Sequence, residues 1–432
     1  APELLAYSGS AATAQASAWL STVTTAATLA TAIAPATLNA AVASSVASST
    51  VSAGSTFTLT TGTDTFPGTA SNDTFVGVAA TTGGTLQVSD VLTGSAGTAD
   101  TFNLTIDTLA ANSVPSALTT GIEIINARNV SGNAQTIALN NFSGATEVNS
   151  DRSTGAMTVT GMVAGQALTI SGDGATTNNT MANTYGATVT TATMNIKNGV
   201  TAGAITQTAA GLTTQTINST GAANTVGAIA LSGAATVTAL TINAATALTT
   251  GNITNFGGTT AAITVSGAAT NATTNLGVTL GTIENTTVKT IDASGLTAGG
   301  ISLTMNSNTA LVLTGGQGND RITTGAVLGS TGSANAGAGT GDRLTVTADA
   351  DITATAGLRY SNFEVVQLTA GRTIDMDHLA TNNTITGLRL VGSATVTNIN
   401  AATAANIQII GSSTPSLGVK NATNVGQIDT VN

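Results

Sequence analysis

From about residue 120 onward an apolar residue closes a short β-prone run and a small polar residue follows it. The couplet recurs as Ile125-Asn126, Val148-Asn149, Ile170-Ser171, Met194-Asn195, Ile217-Asn218, Ile242-Asn243, Val265-Ser266, Ile291-Asp292 and Leu313-Thr314. Successive apolar members are 23, 22, 24, 23, 25, 23, 26 and 22 residues apart. Beyond a looser segment, Leu368-Thr369, Leu390 and Ile410 resume the register. So even a period with strand-like sequence predicts a solenoid, in which each coil rests on the last and none buries its apolar face alone. The parallel β-helix is the expected form: Ile, Val and Leu stack inward in ladders, and the polar residue after each sits at a turn. An antiparallel sandwich also has short strands and Gly-rich turns, but its hairpins would space them less evenly.

The first 54 residues follow another rhythm. Trp19, Leu20, Val23, Leu29 and Ile33, then Leu38, Val42 and Val46, recur at helical intervals with a break at Pro35, which predicts two short Ala-rich helices. They would either cap the open end of the solenoid or link it to a helical domain. The fold class expected is therefore all-β, a parallel β-helix or β-solenoid with acid-bearing loops and a short α-helical N-terminal segment. The expected division is 1–54 helical cap or linker, 55–130 first acidic module, 131–314 solenoid body, 315–372 second acidic module and 373–432 C-terminal coils.

Composition narrows the chemistry. With 41% hydrophobic residues and five prolines the chain is too apolar to be a disordered tail, and with 3% aromatics its core must be narrow. It has no cysteine, so disulfides and thiolate metal sites are excluded. Twenty acidic against ten basic residues disfavour nucleic acid and anionic lipid and favour divalent cations. The uncharged stretch from Leu4 to Thr63 is too rich in Ala, Thr and Ser, and carries Pro35, so no transmembrane segment is expected. A chain that starts on Ala1 and stops at Asn432 in mid-pattern is expected to be a processed product or a piece of a longer one.

Against that sparse charge the acids are regular. Asp64, Asp73, Asp90 and Asp100 each precede a short apolar run, and Gly315-Gly316-Gln317-Gly318-Asn319-Asp320-Arg321-Ile322-Thr323 spells the nonapeptide G-G-x-G-x-D-x-U-x, with U apolar. Its glycines expose carbonyls, its Asp supplies a hard oxygen and its apolar residue enters a core, which is calcium chemistry. Two modules share more than this phrase: Asp73, Asp100 and Glu123 in one match Asp320, Asp342 and Glu364 in the other, at intervals of 27 and 23 against 22 and 22. Acids one coil apart stand above one another and repel unless a cation lies between them. The candidate calcium ligands are Asp64, Asn72, Asp73, Asp90, Asp100 and Glu123, and Gly316, Gly318, Asn319, Asp320, Asp342 and Glu364. Arg321 and Arg343 could instead neutralise the second set, and Asp-Gly and Asn-Asp are also plain turn formers.

The nonapeptides, the phrase Thr290-Ile291-Asp292-Ala293-Ser294-Gly295-Leu296-Thr297 and the Thr/Ala/Gly-rich body together resemble bacterial surface-layer proteins of the RTX type, as found in Caulobacter and Campylobacter. That resemblance implies type I secretion, calcium-triggered folding outside the cell, and self-assembly into a lattice held on lipopolysaccharide or another surface glycan. It places the calcium role on Asp64, Asp73, Asp90, Asp100, Asn319, Asp320 and Asp342. The chain departs from the family pattern in having few tandem nonapeptides and no visible C-terminal tract of them.

Catalysis finds little to work with. Between Asp173 and Glu284 the only charged residue is Lys197, whereas a glycosidase needs paired acids and a lyase a base beside its substrate. His378, in Asp375-Met376-Asp377-His378, reads as a solvated loop, Trp19 as a helix anchor, and Glu147, Asp151 and Arg152 as an exposed charged patch. The nearly uncharged face from 174 to 283 suits lateral packing. The expectation is a secreted, calcium-stabilised structural protein, not an enzyme, that forms a homo-oligomeric surface layer; an RTX-type adhesin or matrix filament, and more remotely a polysaccharide-active β-helix, are the alternatives.

Overall fold

The structure, a computed structural model, describes residues 21, 23–32, 34, 37, 54–232, 237–254, 261–283, 286–411, 414–420 and 428–430. Of the N-terminal helical pattern it contains the helix Ala26–Ala32; Trp19, Leu20, Ile33, Pro35, Leu38, Val42 and Val46 lie outside the described residues.

From Thr56 onward the chain winds as an all-β parallel solenoid of about 15 turns. Fourteen strands, from Thr56–Thr58 to Tyr360–Ser361, form its longest sheet. An 11-stranded sheet runs from Thr177–Asn178 to Ile407–Ile410, and a 6-stranded one from Gln135–Ala138 to Ile253–Thr254. A 4-stranded sheet completes each end, one holding Thr65–Pro67 to Phe142–Ser143 and the other Thr373–Asp375 to Ile428–Thr430. Pairing is parallel until the terminal strands Ser416–Lys420 and Ile428–Thr430, which run antiparallel. Coils therefore begin well before residue 120 and continue through 315–368, where the sequence period had loosened.

An inward ladder holds the longest sheet to the core: Phe57, Phe75, Phe102, Ile125, Val148, Leu168, Met194, Ile217, Ile242 and Val265 stand in register on successive coils. Most of the sequence couplets are its rungs, with two displacements. Val148 pairs with Leu168 while Ile170 pairs with Ser150 and Ile196, and Ile291 stands beside Ile263, not Val265, where bulges shift the register. Each displacement is two residues, which returns a side chain to the same face, so apolarity alone does not distinguish the positions. The neighbouring inward column, Leu104, Ala127, Ser150, Ile170, Ile196, Ser219 and Ala244, mixes large with small and keeps the interior narrow. One buried cluster runs from Leu59 to Leu417, and each fully buried Ile or Leu in it contributes about 1.5–3 kcal/mol. Phe57 closes the first coil, 5.3 Å from Phe66 and 5.1 Å from Phe75 between ring centroids.

The polar member of each couplet is not at a turn. Asn103, Asn126, Asn149, Thr169, Asn195, Asn218, Asn243 and Ser266 are in-register strand residues on the face opposite the inward rungs, where Asn149 and Thr169 are themselves buried. There they bond side chain to side chain. Asn126 Nδ2 donates to Asn103 Oδ1 at 3.0 Å, Asn149 to Asn126 at 3.0 Å, Asn218 to Asn195 at 2.9 Å and Asn243 to Asn218 at 2.9 Å.

Candidate functional site

Each of the eight candidate acids sits immediately before a strand, at a corner of its coil. Asp73, Asp100 and Glu123 precede Thr74–Ala79, Thr101–Ile106 and Ile124–Asn129 of the 14-stranded sheet. Asp320, Asp342 and Glu364 precede Arg321–Thr323, Arg343–Val346 and Val365–Leu368 of the 11-stranded sheet. Asp64 and Asp90 precede Thr65–Pro67 and Val91–Thr93 of the N-terminal sheet. The eight acids thus form three edges, and the two matched sets lie on different faces.

The matched sets share one hydrogen-bond plan. Ser55 N–H donates to Asp73 Oδ1 at 2.7 Å, Asp73 N–H to Asp100 Oδ1 at 2.6 Å, and Asp100 N–H to Glu123 Oε2 at 2.9 Å. In the second set Ile301 N–H donates to Asp320 Oδ1 at 2.6 Å, Asp320 N–H to Asp342 Oδ1 at 2.6 Å, and Asp342 N–H to Glu364 Oε2 at 2.9 Å. Each carboxylate is a staple that holds the corner of the preceding coil. Asn72 Oδ1 accepts from Thr98 and Ala99 N–H, and Asn319 Oδ1 from Thr340 and Gly341 N–H. Asp64 N–H donates to Asp90 Oδ1 at 2.9 Å on the third edge; Thr60 and Gln87 supply donors to the remaining oxygens of those two residues.

The glycines make these corners tight enough for the staples. A Cβ on Gly54 would fall 1.6 Å from the Asn72 carbonyl oxygen, and one on Gly300 would fall 2.0 Å from that of Asn319. Gly97 and Gly339 lie against the carboxylates of Asp100 and Asp342, where a Cβ would meet both oxygens within 2.6 Å. Of the nonapeptide glycines, Gly316 donates its N–H to Asp320 Oδ2 at 3.0 Å and accepts from Ala338 N–H. Gly318 has no room for a side chain against Ala298 and Gly299 of the coil before.

The two steps of each edge differ in what they leave unsatisfied. Asp73 Oδ2 takes Thr69 N–H at 2.5 Å and Asp320 Oδ2 takes Gly316 N–H. One coil on, the corresponding N–H groups of Ala96 and Ala338 go to the Thr69 and Gly316 carbonyls instead. Asp100 Oδ2 and Asp342 Oδ2 are left buried without a partner, a costly state for a carboxylate oxygen.

Protonation follows this difference in the first set. Burial works to raise the pKa of Asp73, but the Thr69 and Ser55 N–H groups and the Thr69 hydroxyl hold it below the ordinary range. Asp100 is raised, chiefly by burial and then by the charges of Glu123 and Asp73. Burial, with a further push from Asp342, lifts Asp320 to about 7, and burial, aided by Glu364, lifts Asp342 to about 7. Arg321 and Arg343 do not relieve the second set: neither is ion-paired among the described residues, and alternation along their strands turns them outward as the Asp turns in.

Calcium can be tested against these donors. Among the described residues no three His, Cys, Asp or Glu side chains gather at one point, so an ion would rest on one free carboxylate oxygen per edge and fill its shell with carbonyls and water. The corner at Asp100 suits that donor set: a Cβ on Gly94 would fall 1.9 Å from the Gly121 carbonyl oxygen and 2.5 Å from Asp100 Oδ2, so both oxygens border one small space. Asp100 and Asp342 are the residues that fit the group best. Asp64, Asn72, Asp73, Asp90, Gly316, Asn319 and Asp320 are already engaged in coil-to-coil bonds. Sequence spacing found the edges, but it carried no sign of which oxygen would lack a donor.

Elsewhere, Asp151 pairs with Arg152 at 2.6 Å and Glu147 with Lys197 at 2.9 Å. His378 shares a 3.0 Å hydrogen bond through Nδ1 with the Ile352 carbonyl. No helix among the described residues is long and apolar enough to cross a membrane. No protein-family model matches the chain, and no curated protein matches it.

Proposed function

We propose that this chain is a structural, secreted β-solenoid, stabilised by calcium, that assembles with copies of itself into a layer on a bacterial surface. The observation that carries the reading is the paired defect at Asp100 and Asp342: each edge buries a carboxylate oxygen with no hydrogen-bond partner in a row of acids, and at Asp100 the Gly121 carbonyl oxygen lies close by. A hard cation offsets that charge and uses those donors. Calcium at the concentrations met outside cells would occupy such a site, since extracellular modules bind in roughly the 0.1–1 mM range. Secretion before the edges are neutralised would keep the chain from closing its coils too early. The outward Asn and Thr ladders and the nearly uncharged span from 174 to 283 then offer neutral, regular faces for copies to pack against or for a surface glycan to cover.

Negative-stain electron microscopy of the protein in calcium and after exhaustive chelation tests the reading. Ordered sheets in calcium and dispersed particles after chelation are expected. Sheets or filaments that persist unchanged without calcium would refute it, and particles that stay single in both conditions would refute the assembly.

A further inference from the structure

The second edge has an outward side of a different character. Arg321 and Arg343 are directly paired neighbours on adjacent strands of the 11-stranded sheet. Arg389 lies two coils beyond Arg343 on the strand Gly387–Val391, where it pairs with Gln367, two residues along from the Arg321–Arg343–Val365–Gly387 column. Like charges set side by side on a sheet oppose its pairing. Here three of the chain's ten basic residues are gathered in a protein of net charge −10. Among the described ion pairs, Arg152–Asp151, Lys197–Glu147, Arg372–Asp349 and Lys420–Asp377, none involves them.

They line an open notch of about 170 Å³ with Thr274, Asn275 and Asn319, and among the described residues no acidic side chain lines it. The wall is fixed: Arg321 Nη2 donates to the Thr274 carbonyl at 3.0 Å, and Asn319 turns its Oδ1 into the staple plan of the edge. The guanidinium donors are not all used. Arg343 Nε and Arg389 Nε are buried and have no hydrogen-bond partner.

We infer that this notch is an oxyanion site that takes a phosphoryl group, with Arg321, Arg343 and Arg389 as its ligands. Planar guanidinium forks match the oxygens of a phosphate and give charge-assisted, bidentate bonds. The size of the notch admits one such group with the start of whatever carries it, so a phosphorylated sugar or a phosphorylated lipid headgroup would be held by the same contacts. The calcium reading is not needed for this site, because its donors face away from the buried carboxylates.

The test uses the full chain and two probes that distinguish the sources: glucose 1-phosphate by isothermal titration calorimetry, with glucose as the neutral control, and vesicles of phosphatidylcholine with and without phosphatidic acid by co-sedimentation. Wild type is expected to bind in at least one arm, with a Kd for the sugar phosphate below about 1 mM where that arm responds. R343Q and R389Q are each expected to weaken that binding at least about tenfold. R359Q, whose guanidinium bonds the Ser330 carbonyl outside the notch, should bind as wild type does. Circular dichroism establishes that each variant retains its β-structure, and two separate arginines guard against one variant that misfolds. No binding by wild type in either arm, or equal binding by wild type, R343Q and R389Q, would overturn the site.

Discussion

Asp342→Asn separates the strain in the second edge from its usefulness. The amide keeps an Oδ1 to accept the Asp320 N–H, bonded at 2.6 Å in the native residue, and puts a donor where Oδ2 is buried without a partner. In the unfolded chain Asp342 ionises above its ordinary 3.8, whereas in the fold burial and Glu364 delay ionisation to about 7. The folded state therefore holds the extra proton between those values. Stability must fall as pH rises from about 4 to about 7, and it stays low above that. A shift from 3.8 to about 7 corresponds to about 4 kcal/mol, and screening by solvent at the coil corner reduces the expected effect to about 2 kcal/mol. In calcium-free buffer at pH 8, D342N should accordingly be the more stable protein by about 2 kcal/mol in urea melts, with the gap closing near pH 4. Calcium should invert the order, since only the carboxylate rewards an ion: at 100 times its Kd a bound ligand adds about 2.7 kcal/mol. Loss of stability in D342N at pH 8 without calcium would refute the strained carboxylate. An equal gain from calcium in both proteins would remove Asp342 from the ion.

The ladders give two further expectations, each read from urea melts with β-structure followed by circular dichroism. Ile217→Ala empties a fully buried rung between Met194 and Ile242 and should cost about 2–5 kcal/mol. Asn218→Ala removes two outward amide bonds, to Asn195 and from Asn243, and should cost about 1–2 kcal/mol; no change would mean that water replaces the Asn ladder without loss.

The solenoid was legible because its period is enforced at every coil: an inward Ile or Val recurs wherever the chain returns to the same sheet. The same rule explains the two misplaced rungs. Leu168 lies two positions before Ile170 on the same face, and on the strand facing Ile291 the equally apolar Ile263 lies two positions before Val265, so only the hydrogen-bond register chooses between them. The couplet's polar residue was misassigned to a turn because Asn favours turns, yet here the ladder amides bond one another inside strands, with Asn149 Oδ1 left without a partner where Thr169 follows it. For the site, the spacing of Asp73, Asp100 and Glu123 revealed an edge, since one coil length is a sequence quantity. The defect at Asp100 Oδ2 was not legible, because it depends on whether the Ala96 N–H turns to a carboxylate or a carbonyl. Arg389 was missed for a related reason. It follows Arg343 by 46 residues, two coil lengths, but no motif marks it, and only the sheet brings it beside the other two.

The two edges are alike where they are buried and different where they are exposed. Inward, the same acids accept the same N–H groups, with distances that agree to within about 0.1 Å. Outward, the residue after each Asp is Thr74 and Thr101 in one set, and Arg321 and Arg343 in the other. Strand alternation makes the two sides chemically independent, because changing an outward side chain leaves the staple beneath it intact. A corner that must hold its carboxylates for the coil to close can thus carry neutral threonines on one face and a cationic notch on another. In this architecture the acids set how coils stack, and the residue after each one sets what that stack can touch.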